Sequence, residues 1–154
     1  MAPRAQASML IRRPVDEVYN AFIDPDVTTK IWFTKSTGRL DQHDHVTWTW
    51  EMYDASAEVD VVALEAGKRI EVVWDGYGST TIEWTFTDRG DGTTYVSVEN
   101  RGFQGTPDEI AEAAVSSTEG FAFLLAGAKA LLEHGVLLNL VPDKFPDGIE
   151  HAHS

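Results

Sequence analysis

The chain contains no cysteine. Disulfides, thiolate metal sites and cysteine nucleophiles are therefore excluded. Positive charge is also scarce, with 12 Lys and Arg against 25 Asp and Glu and a net charge of −13 at pH 7. A surface that negative repels phosphate backbones and anionic lipid, and no run of Lys and Arg offsets it. Neither nucleic acid nor a membrane is an expected partner. Long apolar runs are missing near the start, where Met9-Leu10-Ile11 is too short for a signal-peptide core or a membrane span. The cytoplasm is the expected location. No G-x-S-x-G, H-E-x-x-H or Gly-rich phosphate loop occurs. No catalytic residue, cofactor or metal is assigned on this basis, and whether the protein is an enzyme stays open.

What the chain does have is apolar and aromatic mass. Its 154 residues are 43% apolar and include five Trp, seven Phe and four Tyr, enough to build the core of one domain over residues 1–154. The stretch from Thr106 to Gly135 carries the marks of one long helix. Thr106 can cap it, Pro107 sits at the first helical position, and Asp108 and Glu109 place negative charge at the positive end of the dipole. Apolar or small residues recur at Ile110, Ala114, Ser117, Phe121, Leu124, Leu125, Ala128, Leu131 and Leu132, close to a 3.6-residue period. Gly135 supplies the stop. A helix of that length needs a long apolar surface to lie against.

The preceding chain offers one. Arg4 to Arg13 reads as a first strand. Pro14 opens a helix with Val15, Val18, Tyr19 and Phe22 on one face, and Asp24-Pro25 breaks it. Asp26 to Phe33 reads as a second short helix turning Ile31, Trp32 and Phe33 inward. From Gly38 the period changes to two. Val46 to Met52 alternates with Trp48, Trp50 and Met52 on one face. Ala57, Val59 and Val61 repeat the pattern, as do Ile70, Val72 and Trp74, then Ile82, Trp84 and Phe86, then Val96 and Val98. These are half-buried antiparallel strands joined by short Gly-rich turns at Ala66-Gly67-Lys68, Asp75 to Gly78 and Arg89 to Gly92. The fold class is α+β in one domain. Its core spans about residues 5–135, with a tail over 136–154. Val136 to Val141 is too apolar to hang in water. It extends the helix, lies back over the sheet, or meets a second subunit, which makes a homodimer an expected possibility. Pro142 and Pro146 are expected to end regular structure.

Order and motifs together resemble the START-like or SRPBCC superfamily. The residues that carry this are Ile11-Arg-Arg-Pro-Val-Asp-Glu-Val-Tyr-Asn-Ala-Phe22 at a strand-to-helix junction, Asp24-Pro25 followed by Trp32, and Glu119-Gly120-Phe121 through Gly135. Within the superfamily the chain is most similar to the AHSA-type group, named after the homologue of the heat-shock chaperone ATPase activator. The resemblance implies a helix-grip fold like that of the birch-pollen allergen. A curved antiparallel sheet of six to seven strands would grip the C-terminal helix, with a cavity between them.

On that expectation the candidate ligand-binding residues are Phe22, Trp32, Trp48, Trp50, Trp74, Trp84, Phe86, Phe121, Leu125 and Ala128. Aromatic side chains suit flat or lipid-like ligands, so the expected partner is a hydrophobic small molecule. An enzyme of the cyclase or hydrolase kind using the same cavity, and a co-chaperone role, are the alternatives. Gly120 and Gly127 mark one side of the helix with no side chains and either leave room for a ligand or pack closely on the sheet. The strand carboxylates Glu51, Glu58, Asp60, Glu71, Glu83 and Glu99 fall on the solvent parity, where no useful pKa shift is expected. A bulge that turned Glu99 and Asn100 inward beside Arg101 would change that. His43 with His45, and His151 with His153, read as solvated pairs rather than metal ligands. Arg89-Gly90-Asp91 reads as a turn.

Overall fold

The computed structural model describes residues 2–148. Strand β1 (Ala5–Ile11) runs into Pro14, whose fixed φ starts α1 (Val15–Ile23), with Asp16 and Glu17 in the first turn and Val18, Ala21, Phe22 and Ile23 buried. The Asp24 side chain then accepts the Asp26 N–H at 2.9 Å and caps α2 (Pro25–Thr28). The helix expected over 26–33 ends here. Thr28 and Thr29 hydroxyls turn back onto the Asp24 and Pro25 carbonyls at 2.8 and 2.6 Å, and β-branched residues hold such short turns better than a long helix. Ile31, Trp32 and Phe33 are buried nevertheless.

Seven antiparallel strands form one sheet. They are β1, β2 (Lys35–Ser36), β3 (His45–Trp50), β4 (Ala55–Glu65), β5 (Arg69–Trp74), β6 (Thr80–Asp88) and β7 (Thr94–Arg101), in the spatial order β1-β7-β6-β5-β4-β3-β2. The strand expected to reach Met52 stops at Trp50. Glu51–Tyr53 forms a 3-10 turn, and Asp54 in the left-handed region (φ 49°) reverses the chain into β4. A register shift between Val61 and Ala63 bends β4.

On the outer face the register sets Glu71 opposite Glu83 and Glu83 opposite Glu99, a like-charge row that is destabilising by itself. Arg69 pairs with Glu71 and Glu83, and Arg101 lies 3.0 Å from Glu83 and 3.2 Å from Glu99. The Arg69 hydrogen bond, first among the causes, holds the Glu83 carboxyl below the ordinary range. This face is a solvated ion-pair lattice, and Glu71, Glu83 and Glu99 are engaged in it.

The inner face carries Val46, Trp48, Val59, Ile70, Val72, Ile82, Trp84, Val96 and Val98, all buried. Helix α3 (Pro107–His134) covers it with Ala114, Ser117, Phe121, Leu124, Leu125 and Ala128. Its first turn is closed by a reciprocal pair: Thr106 Oγ1 accepts the Glu109 N–H at 3.2 Å, and Glu109 accepts the Thr106 N–H at 3.0 Å. Gly135 at φ 64° ends it. Lys129 donates to the Leu10 carbonyl at 2.7 Å, and Glu133 accepts the Arg12 N–H at 2.9 Å, so the helix is bonded to the far edge of the sheet. By length and composition alone α3 could cross a membrane. Its apolar stripe is laid on the sheet instead. The curved sheet and the long closing helix are the helix-grip arrangement.

Candidate functional site

Trp32 occupies the space between helix and sheet. Its ring lies 5.1 Å from Trp48, 5.5 Å from Trp50, 5.7 Å from Trp74, 6.2 Å from Trp84 and 5.5 Å from Phe121, centre to centre. Phe33 stacks on Trp48 at 4.9 Å, and Phe22 lies 6.0 Å from Trp84 and 5.8 Å from Phe86. Pairs at these separations are in packing contact. Of the ten candidate residues, Trp48, Trp84, Phe86, Phe121, Leu125 and Ala128 are almost wholly buried in this cluster, and Trp50 is half-buried against it. The structure brings all ten together as one aromatic and aliphatic cluster, and Trp32 is the member that also lines open space beside it.

Two polar features sit inside. Asn100 is fully buried on the inner face of β7, with Nδ2 donating to Thr80 Oγ1 at 3.0 Å and to the Thr81 carbonyl at 2.8 Å. Its Oδ1 accepts the Ser117 hydroxyl at 2.8 Å, and Thr80 also accepts the Trp74 indole N–H at 2.8 Å. β7 keeps regular alternation, so Glu99 stays outside with Arg4 and Arg101 while Asn100 points in with Val96 and Val98. Every member of this network has a partner. Trp84 differs: its buried indole N–H meets no oxygen or nitrogen acceptor among the described residues.

The open space lies outside the cluster, under the chain that follows α3. Val136, Leu137 and Leu138 are exposed, and helix α4 (Leu140–Lys144) folds back over the edge of Trp32. Pro142 sits inside its first turn, where no donor is needed, rather than ending structure as expected. Tyr53 donates its hydroxyl to the Val141 carbonyl and packs on Phe145, while Lys144 pairs with Glu119 at 2.5 Å. Burial, first among the causes, raises the Tyr53 hydroxyl above its ordinary pKa.

A cavity lies on each side of Val141. One, of about 160 Å³, is lined by Ile31, Trp32, Thr34, Met52, Gly127 and the 138–142 segment among others. The second, of about 240 Å³, is lined by Trp32, Tyr53, Tyr77, Ser116, Gly120, Phe123, Val141, Lys144 and Phe145. The two glycines divide. A methyl group on Gly127 would rest on Ile31 at 3.6 Å, whereas one on Gly120 would meet nothing within 4 Å. Among the described residues, the non-glycine residues at positive φ are Asp54, Tyr77 and Asn139, beside or within the walls of these two cavities. Such backbone conformations gather at ligand sites. Tyr77 is held by a 3.0 Å hydrogen bond between its hydroxyl and Ser116.

Sequence reasoning missed Tyr53, Tyr77, Ser116, Phe123, Lys144 and Phe145. None lies on an inward parity of a strand. Tyr53, Tyr77, Lys144 and Phe145 come from turns and the tail, which leave no periodic signal, and Ser116 and Phe123 share a face of α3 with Gly120, beside the stripe that meets the sheet. His45 is engaged with Asp60 and Glu58 on the outer face, and His151 and His153 lie outside the described residues. No group of three or more metal-ligating side chains occurs among the described residues.

Comparison with solved structures agrees with this architecture. A crystal structure of a Staphylococcus saprophyticus protein is 27% identical, with a TM-score of 0.74 over 88% of this chain and 95% of that one. The Aha1 dimer of Colwellia psychrerythraea is 18% identical, with a TM-score of 0.68 over 86% of this chain and 97% of that one. CalU16 of Micromonospora echinospora is 17% identical, with a TM-score of 0.68 over 97% and 86%. A search of curated proteins gave no significant match. The sequence family described as Activator of Hsp90 ATPase homolog 1-like protein matches residues 12–133, and the chain belongs to that family.

Proposed function

We propose that the protein binds an apolar or aromatic small molecule at the mouth formed by Trp32, Gly120, Tyr53 and α4. The observation that supports this best is the cavity of about 240 Å³, walled by five aromatic rings and left open at Gly120. Ligand pockets for drug-sized molecules run to roughly 300–1,000 Å³, so a smaller aromatic ligand, of up to three rings, suits this one. The aromatic cluster behind it acts as a rigid floor.

A cyclase-like or hydrolase-like enzyme is the second reading. Among the described residues the buried polar ones are Thr28, Thr80, Thr94, Asn100 and Ser117, none of which titrates as a general acid or base near neutral pH. The hydroxyls at the mouth can orient a substrate, and that favours binding over proton transfer. A co-chaperone role rests on the family's name alone. A homodimer through Val136–Val141 remains our proposal as well, supported by the exposure of Val136, Leu137 and Leu138 and by the dimeric state of the Colwellia protein.

Titration with phenylnaphthylamine, an uncharged fluorescent probe, tests the binding reading. Saturable enhancement is expected, and Gly120→Leu, which fills the cavity, abolishes it. No saturable enhancement with the unaltered protein removes the reading.

A further inference from the structure

The mouth cavity has one charged residue in its wall, and that residue is a cation on a strongly acidic protein. Lys144 is only 23% exposed and is held on two aromatic faces, with its ammonium 4.9 Å from the centre of the Phe145 ring and 5.6 Å from that of Phe123. It carries three N–H donors, and Glu119 at 2.5 Å occupies one direction. Glu119 is 48% exposed, and an ion pair with so much solvent on one partner contributes little, so a second anion can displace it or share the ammonium.

Across the cavity, Tyr77 and Ser116 share a hydrogen bond of 3.0 Å. Two hydroxyls carry two protons, and that bond uses one. The other remains to be donated to whatever enters. Tyr53 has no such proton, since it is given to the Val141 carbonyl. The wall therefore offers an ammonium and one hydroxyl donor to an acceptor, with rings for an aromatic body.

We propose that the mouth selects a flat aromatic molecule bearing one anionic group, with Lys144 as counter-ion and the Tyr77–Ser116 pair as second donor. This deepens the binding reading above and rests on it. It also runs against the field of the whole protein. A net charge of −13 disfavours any anion, so a preference for one has to come from the local cation.

A matched pair of probes tests it: phenylnaphthylamine and anilinonaphthalene sulfonate, which differ by the sulfonate. The quantity read is the ratio of their affinities. Relative to the uncharged probe, the sulfonate is expected to bind roughly tenfold more tightly in low salt, with the advantage shrinking as salt is added. Lys144→Met collapses the ratio, whatever it does to either probe alone. Glu119→Gln removes the competing carboxylate and raises the ratio by several-fold.

A ratio at or below one, or a ratio that Lys144→Met leaves unchanged because both affinities fall together, overturns the anion selectivity while the binding reading stands. Failure of both probes to bind removes the two together.

Discussion

The Ser117 hydroxyl donates to the Asn100 carboxamide oxygen at 2.8 Å, joining the middle of α3 to the inner face of β7 with no solvent at either residue. Removing either partner leaves buried polar atoms behind, and this sets unequal costs. Asn100→Ala takes the partner from the Ser117 hydroxyl and a donor from the Thr81 carbonyl, while Thr80 keeps Trp74 and Gly76, and it should cost about 2–4 kcal/mol. Ser117→Ala loses one bond and should cost about 1 kcal/mol. Urea denaturation of the two single variants and the double variant checks this. Because the bond is shared, the double variant is expected to cost less than the sum of the singles.

Gly120 and Gly127 give a second contrast. Alanine in place of either relieves the backbone entropy that glycine carries in a helix, about 0.5–1 kcal/mol each, and neither added methyl group clashes. Thermal melts should therefore rise for both. Probe binding should separate them, because Gly120 borders the larger cavity and Gly127 rests on Ile31. Gly120→Leu abolishes phenylnaphthylamine binding, and Gly127→Ala leaves it unaltered.

His45 makes a 2.8 Å contact with Asp60 and a 2.6 Å contact with Glu58. The Asp60 bond first, then Glu58, raises the imidazole above its ordinary value, which is about 6.5. A raised folded pKa means the stabilisation is complete below the unfolded value and disappears as pH rises through the folded one. Glu58 has the opposite sign: His45 first, then Thr47, lowers it, so its contribution is lost as pH falls through that lowered value. The His45 ring-proton resonance in NMR should titrate above the ordinary midpoint and move back down in Asp60→Asn. An ordinary midpoint in the unaltered protein contradicts the clamp.

Tyr53→Phe removes the bond to the Val141 carbonyl and leaves the ring in place. One hydrogen bond of about 1 kcal/mol corresponds to roughly a fivefold change in an opening equilibrium. The amides of α4 should exchange with solvent faster by about that factor, while those in the middle of α3 should not change. Equal acceleration in both would mean that α4 and the domain open as one.

Much of this fold could be read from residue spacing. The alternation of Ile82, Trp84 and Phe86 gave the inner face of β6, and Thr106-Pro107 with Gly135 gave both ends of α3. Asn100 was expected inward only through a bulge; unbroken alternation with Val96 and Val98 puts it there, and its role is to bond rather than to catalyse. Trp32 was legible as inward, but not as the ring that fills the space beneath the helix. That depends on how tightly the turn after Thr28 swings it across the sheet. The site was the least legible part. Its wall comes from Tyr53, Tyr77 and Lys144, each positioned by a single turn. Pro142, read as a breaker, sits in the one part of a helix that tolerates it.

The sheet order carries a consequence for synthesis. Ser8 pairs with Ser97, 89 positions later in the chain. Strands β3 to β7 are joined in sequence by short hairpins and can register as they emerge. β1 cannot, because its neighbour in the sheet among the described residues is β7, and the helix bonded to Leu10 and Arg12 comes later still. At translation rates of roughly 5–20 residues per second, the first strand waits on the order of 5–20 s with its edge unpaired. A ribosome-bound nascent chain would hold a finished meander and an orphan strand until β7 arrives.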